Sequence, residues 1–213
     1  MLRVGLTGGL ACGKTTVALM LASHGAHVNY ADQIARDLMQ PGEPVYAEVV
    51  KHFGEDIVEN DGSINRRKLA EKAFGGGRVQ ELNQLVHPAV IERETTWMDQ
   101  TEAQEPDAIV VIEAALILEA GLHDRFDKIV VVTCTPEQRV QRFAARVKMG
   151  MEEARREVER RMAAQLPDAE KIKAADFVIE NTGTLAELEQ KVEELFATFK
   201  SWNLSPEVKE LLP

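Results

Sequence analysis

Short, continuous apolar runs alternate along the chain with longer stretches of helical period. The runs lie at residues 2–6, 26–30, 108–112, 129–134 and 176–180. Ile109 to Ile112 and Ile129 to Val132 are uninterrupted and rich in β-branched residues, which predicts strands buried on both faces of a parallel sheet. Recurring apolar positions predict helices at 16–22, 33–39, 45–53, 66–74, 79–86 and 89–98. A last long helix presents Leu185, Leu188, Val192, Leu195 and Phe199 on one apolar face. Gly25 suits the left-handed position that closes the first helix. Thr135-Pro136-Glu137-Gln138 has the order of a capping box with proline at the first turn, and Thr184 with Glu187 repeats the box. His87 precedes Pro88, which disfavours helix there and predicts a fixed bend. Strands alternating with helices make the fold class α/β. About 75 residues separate Tyr30 from the strand near Ile109, far more than one crossover helix needs. That interval is mostly helical in pattern, so it is expected to be a helical insertion carrying a second substrate's pocket. Residues 201–213 are expected to be a short polar tail, docked through Trp202.

Composition narrows the functional classes. The chain has 213 residues, 45% hydrophobic and 28% charged, enough for one globular domain with an inserted subdomain. A formal net charge of -10 argues against a general binder of nucleic acid or membrane surfaces. Two cysteines, Cys12 and Cys134, make neither a disulfide framework nor a zinc pattern. No stretch approaches the ~20 apolar residues of a membrane span. The N-terminal residues already belong to a core strand, so no signal peptide is expected and the chain is expected to be cytoplasmic.

Gly8-Gly9-Leu10-Ala11-Cys12-Gly13-Lys14-Thr15 carries the chemistry. This G-x-x-x-x-G-K-[ST] run joins the first strand to the first helix, the context in which such a loop wraps a polyphosphate with its backbone N–H groups. The helix adds its unpaired N–H groups and the positive end of its dipole. Gly9, Ala11, Cys12, Gly13, Lys14, Thr15 and Thr16 form the expected ATP site. Lys14 can reach the β- and γ-phosphates, and the Thr15 hydroxyl can ligate Mg²⁺. Asp32 falls just beyond the second strand, on the sheet edge where ligands gather. It can accept a hydroxyl proton, hold a Mg²⁺ water, or cap the helix at 33–39. Glu113 ends the third strand where a carboxylate approaches Mg²⁺ through water, and Glu119 follows; Glu113 is the weaker candidate because aspartate is usual there. Arg66 and Arg67 can pair with phosphates, and His87 is either structural or functional. His24, His27, His52 and His123 receive no role. Cys12 and Cys134 are read as packing residues. Arg139, Arg142, Arg146, Arg155, Arg156, Arg160 and Arg161 place seven arginines between 139 and 161. Arg142 and Arg146 share a helix face and can form a lid over phosphates, whereas Arg155 and Arg156, interleaved with Glu152, Glu153, Glu157 and Glu159, suit a solvated face. Asn181-Thr182-Gly183 follows the fifth strand at the same edge.

Together these segments resemble the dephospho-CoA kinase family. The matching residues are Leu6-Thr7-Gly8-Gly9 with Gly13-Lys14-Thr15-Thr16, Ala31-Asp32-Gln33-Ile34-Ala35-Arg36 with Pro41-Gly42, and Phe53-Gly54 with Asp61-Gly62-Ser63-Ile64-Asn65-Arg66 and Leu69. Leu82-Asn83, His87-Pro88, Leu116 with Glu119, Arg142, Arg146, Gln165, Ala175-Asp176 and Asn181-Thr182-Gly183 complete the order. The resemblance implies a three-layer P-loop NTPase fold with a five-stranded parallel sheet in the order 2-3-1-4-5. It implies a nucleotide core at 1–34, 106–138 and 170–200, a substrate subdomain at 35–105, a lid at 139–169 and a tail at 201–213. The implied activity is phosphorylation of the ribose 3′-hydroxyl of dephospho-CoA by ATP with Mg²⁺, in a monomer or small homo-oligomer without nucleic-acid or membrane partners. In that scheme Asp32, Lys14 and Arg142 are catalytic. Arg66, His87 and Glu119, with Asp32, hold the acceptor; Arg146 belongs to the lid, and Asn181 lies by the adenine. The chain departs from the family at Tyr30, Ala11, Cys12, Ala115 and Val147-Lys148, where aspartate, glycine, serine, proline and an acid-glycine pair are usual. The alternatives are a P-loop kinase for a nucleoside monophosphate or small metabolite, and a non-catalytic or switch protein. For a GTPase switch, neither N-K-x-D nor D-x-x-G is present.

Overall fold

In the computed structural model, which describes residues 1–203, the chain divides into two compact units. The first comprises Met1–Asn29 and the chain from Thr101 onward; the second is Tyr30–Gln100.

The first unit is organised by a five-stranded sheet of β1 (Leu2–Gly8), β2 (His27–Tyr30), β3 (Ile109–Glu113), β4 (Lys128–Thr133) and β5 (Phe177–Glu180), in the order β2-β3-β1-β4-β5. β1 pairs in parallel with β3 and β4, and β4 with β5. The order is the one implied by the resemblance, and the strands fall within two residues of the predicted runs. Helices α1 (Lys14–Ser23) and α9 (Leu185–Asn203) cover one part of the sheet: α1 packs on β1 and β3, α9 on α1, β3 and β5. Helix α8 (Asp168–Lys173) packs on β4. Successive residues of a strand face opposite ways. Ile129 and Val131 therefore join Ile117 and Ala175 in one cluster, while Val130 and Val132, equally buried, face the other layer. Gly25, at φ +107, closes α1 as predicted.

Two features of this unit differ from the sequence expectation. In α9, Leu188, Val192, Leu195 and Phe199 are buried, but Leu185 is 65% exposed. The helix also continues through Ser201 and Trp202 to Asn203. The Trp202 ring lies 5.4 Å from Phe177 and 6.3 Å from Phe199, with the Lys128 ammonium 5.2 Å from its centre. This aromatic cluster extends the helix into the expected tail; the rest of that tail lies outside the described residues. Helices α6 (Pro136–Val147) and α7 (Met151–Met162) pack together through Val140, Phe143, Ala144, Ala154 and Val158, with Leu10 and Ala11 against them. The capping boxes at Thr135/Gln138 and Thr184/Glu187 both form. Lys148 stands at φ +55 after α6, a left-handed position that costs a non-glycine residue about 1–2 kcal/mol.

The second unit contains α2 (Ala31–Leu38), α3 (Pro44–Phe53), α4 (Arg66–Ala70) and the greater part of α5 (Val79–Gln104). Ile34, Leu38, Val49, Phe53, Ile57, Leu69, Val86 and Val90 form its core. The two helices predicted around Pro88 are one: α5 runs through the proline. An interior proline costs about 3 kcal/mol. Val86 and Val90, on either side of it, are buried in the core, and burying each such side chain returns roughly 1.5–3 kcal/mol. α4 is shorter than predicted and passes into a π-helical turn at Glu71–Gly75.

Candidate active site

Parallel pairing collects the site. Leu6 stands opposite Glu113, Gly8 opposite Val132 and Thr133 opposite Glu180, so the carboxyl ends of β1, β3, β4 and β5 share one edge. The glycine-rich loop leaves β1 at this edge and enters α1 at Lys14. Gly13, at φ +101, turns the chain into the helix; a Cβ there would collide with the Asn181 amide nitrogen. Among the described residues, helix α1 has no side-chain cap and no acid in its first turn, which leaves its first N–H groups and dipole for an anion.

Side chains grip this loop by its carbonyls. Lys14 Nζ donates to the Gly8 and Gly9 carbonyls at 3.1 and 3.2 Å. Arg142 Nη1 and Asn181 Nδ2 both donate to the Cys12 carbonyl, at 3.3 and 2.9 Å. Arg142 Nη2 also holds the Asn181 carbonyl at 3.0 Å. Asn181 is buried, its own N–H donating to the Thr133 carbonyl at 2.8 Å. A cavity of about 650 Å³ opens beside the loop, lined by Ala11, Lys14, Thr15, Arg142, Asn181 and Leu185 among others. Gly13, Thr16 and Arg146 line it too, so most of the predicted nucleotide-site residues meet here. Cys12 is fully buried beneath the loop, and burial raises the Cys134 thiol pKa, which suits both to packing.

The Thr15 hydroxyl donates to the Glu113 carboxylate at 3.1 Å. These two oxygens, from the loop helix and the adjacent strand end, are hard donors of the kind Mg²⁺ prefers.

The model of the family "Dephospho-CoA kinase" matches residues 2–187. A dephospho-CoA kinase from Corynebacterium glutamicum is 41% identical over 202 residues, spanning 94% of this chain and 98% of its own. The chain belongs to the dephospho-CoA kinase family. Among solved structures, a Thermus thermophilus protein superposes with a TM-score of 0.76 at 32% identity, covering 92% of this chain and 97% of its own. A dephospho-CoA kinase from Campylobacter jejuni shares the fold, with a TM-score of 0.65 at 22% identity over 94% of this chain and 98% of that one.

In this member of the family, Asp32 is the second residue of α2; the N-cap position belongs to Tyr30, so the capping alternative for Asp32 does not hold. Asp32 is exposed and makes no hydrogen bond or ion pair with any described residue. Arg66 is exposed at the first residue of α4, behind the Asn65 cap. His87 is half-buried in α5, and that burial lowers its pKa, so it is a neutral imidazole at pH 7 and brings no charge to a phosphate. Glu119 lies in the first unit, with its Oε2 buried and without a hydrogen-bond partner among the described residues. Its Oε1 pairs with Lys171, which is fully buried, at 2.7 Å, and accepts from the Leu166 N–H at 3.1 Å. Glu113, ranked below it from sequence, is the acid beside Thr15.

Sequence reasoning missed Lys171 and Arg139 as buried cations and Leu185 as a cavity residue. Lys171 and Leu185 carry no local signal, because both sit in ordinary helical patterns. Arg155 and Arg156, expected on a solvated face of α7, are exposed, and the charge pairing there forms instead at Glu157: Arg160 and Arg161 both grip its carboxylate and hold its pKa down at about 2.

Proposed function

We infer that the protein transfers the γ-phosphoryl group of ATP to the ribose 3′-hydroxyl of dephospho-CoA, giving CoA and ADP. The observation that carries this reading is the uncapped α1 N-terminus, with Lys14 and Thr15 lining the 650 Å³ cavity and Thr15 bonded to Glu113, in a chain that the family model matches over residues 2–187. The triphosphate takes the loop N–H groups, and Lys14 leaves the Gly8 and Gly9 carbonyls for its β- and γ-oxygens. Arg146, exposed on the cavity and 5.7 Å from the Phe143 ring, can swing onto the transferring group. Arg142 lends its charge to the loop and to the same oxygens. Asn181 and Leu185, a polar and an apolar group of the lining, suit the adenine. Asp32 takes the proton from the acceptor hydroxyl, and Arg66 and the neutral His87 hold the acceptor. The protein works in the cytoplasm as a monomer or small homo-oligomer, without a nucleic-acid or membrane partner.

The Thr15 hydroxyl would ligate Mg²⁺ directly, with Glu113 holding one of its waters. When bound, the ion neutralises charge on the β- and γ-oxygens. Glu113→Gln should therefore raise the Mg²⁺ concentration for half-maximal rate about tenfold, as loss of an outer-shell partner does. A Mg²⁺ titration of initial rate at saturating ATP checks it; an unmoved midpoint removes Glu113 from this role.

An ADP-release assay with dephospho-CoA, with and without Mg²⁺, tests the activity itself. Turnover that needs both ATP and Mg²⁺ is expected. ADP release no faster than without acceptor overturns the assignment, and faster turnover of a nucleoside monophosphate reassigns the acceptor.

A further inference from the structure

The phosphate loop holds a conformation that its own residues resist. Ala11 sits at φ +54, a left-handed position that its Cβ disfavours. Such strain persists only where surrounding groups over-determine the backbone. On one side Arg142 and Asn181 hold the Cys12 carbonyl. On the other, Arg139 Nη1 donates to the Leu10 carbonyl at 2.8 Å. Arg139 is only 4% exposed. Its Nη2 pairs with Asp168, the first residue of α8, and its Nη1 also touches Met162 Sδ at 3.2 Å. The guanidinium lies against Gly9, where a Cβ would collide with Nη1 and come within 3.0 Å of Asp168 Oδ1. Arg139 therefore joins the loop to α6, α7 and α8 at a single buried group.

We propose that Arg139, held by Asp168, is a positioning residue that aims the loop's N–H groups at the nucleotide. In a planar trans peptide the C=O and N–H point opposite ways. The Leu10 carbonyl and the Ala11 N–H belong to one peptide group. Drawing that oxygen back onto Arg139 turns the N–H the other way, toward the cavity that Ala11 lines. The Cys12 carbonyl, two residues on, is held separately by Arg142 and Asn181. Arg139 differs from Arg142 and Arg146 because neither its charge nor its surface is available to phosphate: Asp168 neutralises it and the loop covers it. Its loss acts on the nucleotide through the backbone and leaves the acceptor alone.

Arg139→Gln and Asp168→Asn in the full chain test this, with a fluorescent ATP analogue titrated for affinity, KM measured for both substrates, and thermal unfolding recorded alongside. Arg139→Gln should weaken nucleotide binding and raise KM for ATP about tenfold, the scale of one charge-assisted hydrogen bond. KM for the acceptor should stay within about twofold, since the lost contact is not made to it. Adding Ala11→Gly to Arg139→Gln should recover about threefold in nucleotide affinity, because glycine enters the left-handed region without strain. A parallel rise in both KM values, unchanged nucleotide affinity in a variant that unfolds at the wild-type temperature, or no recovery with Ala11→Gly overturns the proposal. Where Arg139→Gln does not fold, Arg139→Lys keeps the charge beside Asp168 but not the planar fork, and carries the same comparison. The nucleotide titration needs no acceptor, so it decides the role of Arg139 whether or not dephospho-CoA is the substrate.

Discussion

Lys14→Ala should lower kcat/KM for ATP about a thousandfold, with both kcat and nucleotide affinity affected. The Lys14 ammonium rests 3.1 and 3.2 Å from two loop carbonyls, and Lys14 lines the cavity. Those are weak dipolar partners that a triphosphate replaces with full negative charge. Each hydrogen bond from the ammonium to a phosphate oxygen contributes about 1.5–3 kcal/mol. Two of them, strengthening as charge builds on the transferring group, amount to about 4 kcal/mol, which is three powers of ten in rate. Alanine keeps the helix, being the best helix former, and leaves the Gly8 and Gly9 carbonyls to water. Steady-state ATP kinetics with a thermal unfolding curve are the measurement. A fall of less than tenfold in a variant that folds normally would contradict the loop's assigned role.

Asp32→Asn should reduce kcat by roughly a hundredfold to ten-thousandfold, the range of a lost general base, while KM for ATP stays within about twofold. The substitution is isosteric, and Asp32 makes no ion pair with a described residue, so no partner is orphaned. The stability change should be confined to the helix-dipole contribution of an acid in the first turn of α2, about 0.3–1 kcal/mol. That separation makes the variant informative: activity and stability are expected to move by very different amounts. Single-turnover kinetics at saturating ATP isolate the phosphoryl step. A folded variant with a near-normal single-turnover rate would take Asp32 out of the base role.

Much of the site was legible along the chain because it is made by short-range geometry. Gly8 through Thr15, between a strand and a helix, needs no distant partner to declare itself, and the capping boxes at Thr135 and Thr184 act within four residues. What misled was local as well. The proline rule disfavoured helix at His87, but with Val86 and Val90 buried in the core α5 continues through Pro88. Preference for aspartate put Glu113 below Glu119; strand register gave Glu113 to Thr15, while α8 brought Lys171 to Glu119. Arginine spacing counted Arg139 among seven and gave it no role, although it is buried against a loop 129 residues earlier.

Taken alone, the amino-acid order determined the α/β class, the phosphate loop, the helical insertion and, through resemblance, the family and its sheet order. Those follow from periodicity, glycine spacing and local hydrogen bonding. Which carboxylate meets Thr15 and which arginine braces the loop were decided only in three dimensions. Parallel strands separated by a hundred residues bring their carboxyl ends to one edge, and a cation's role depends on whether burial there leaves it a carboxylate, a carbonyl or open space.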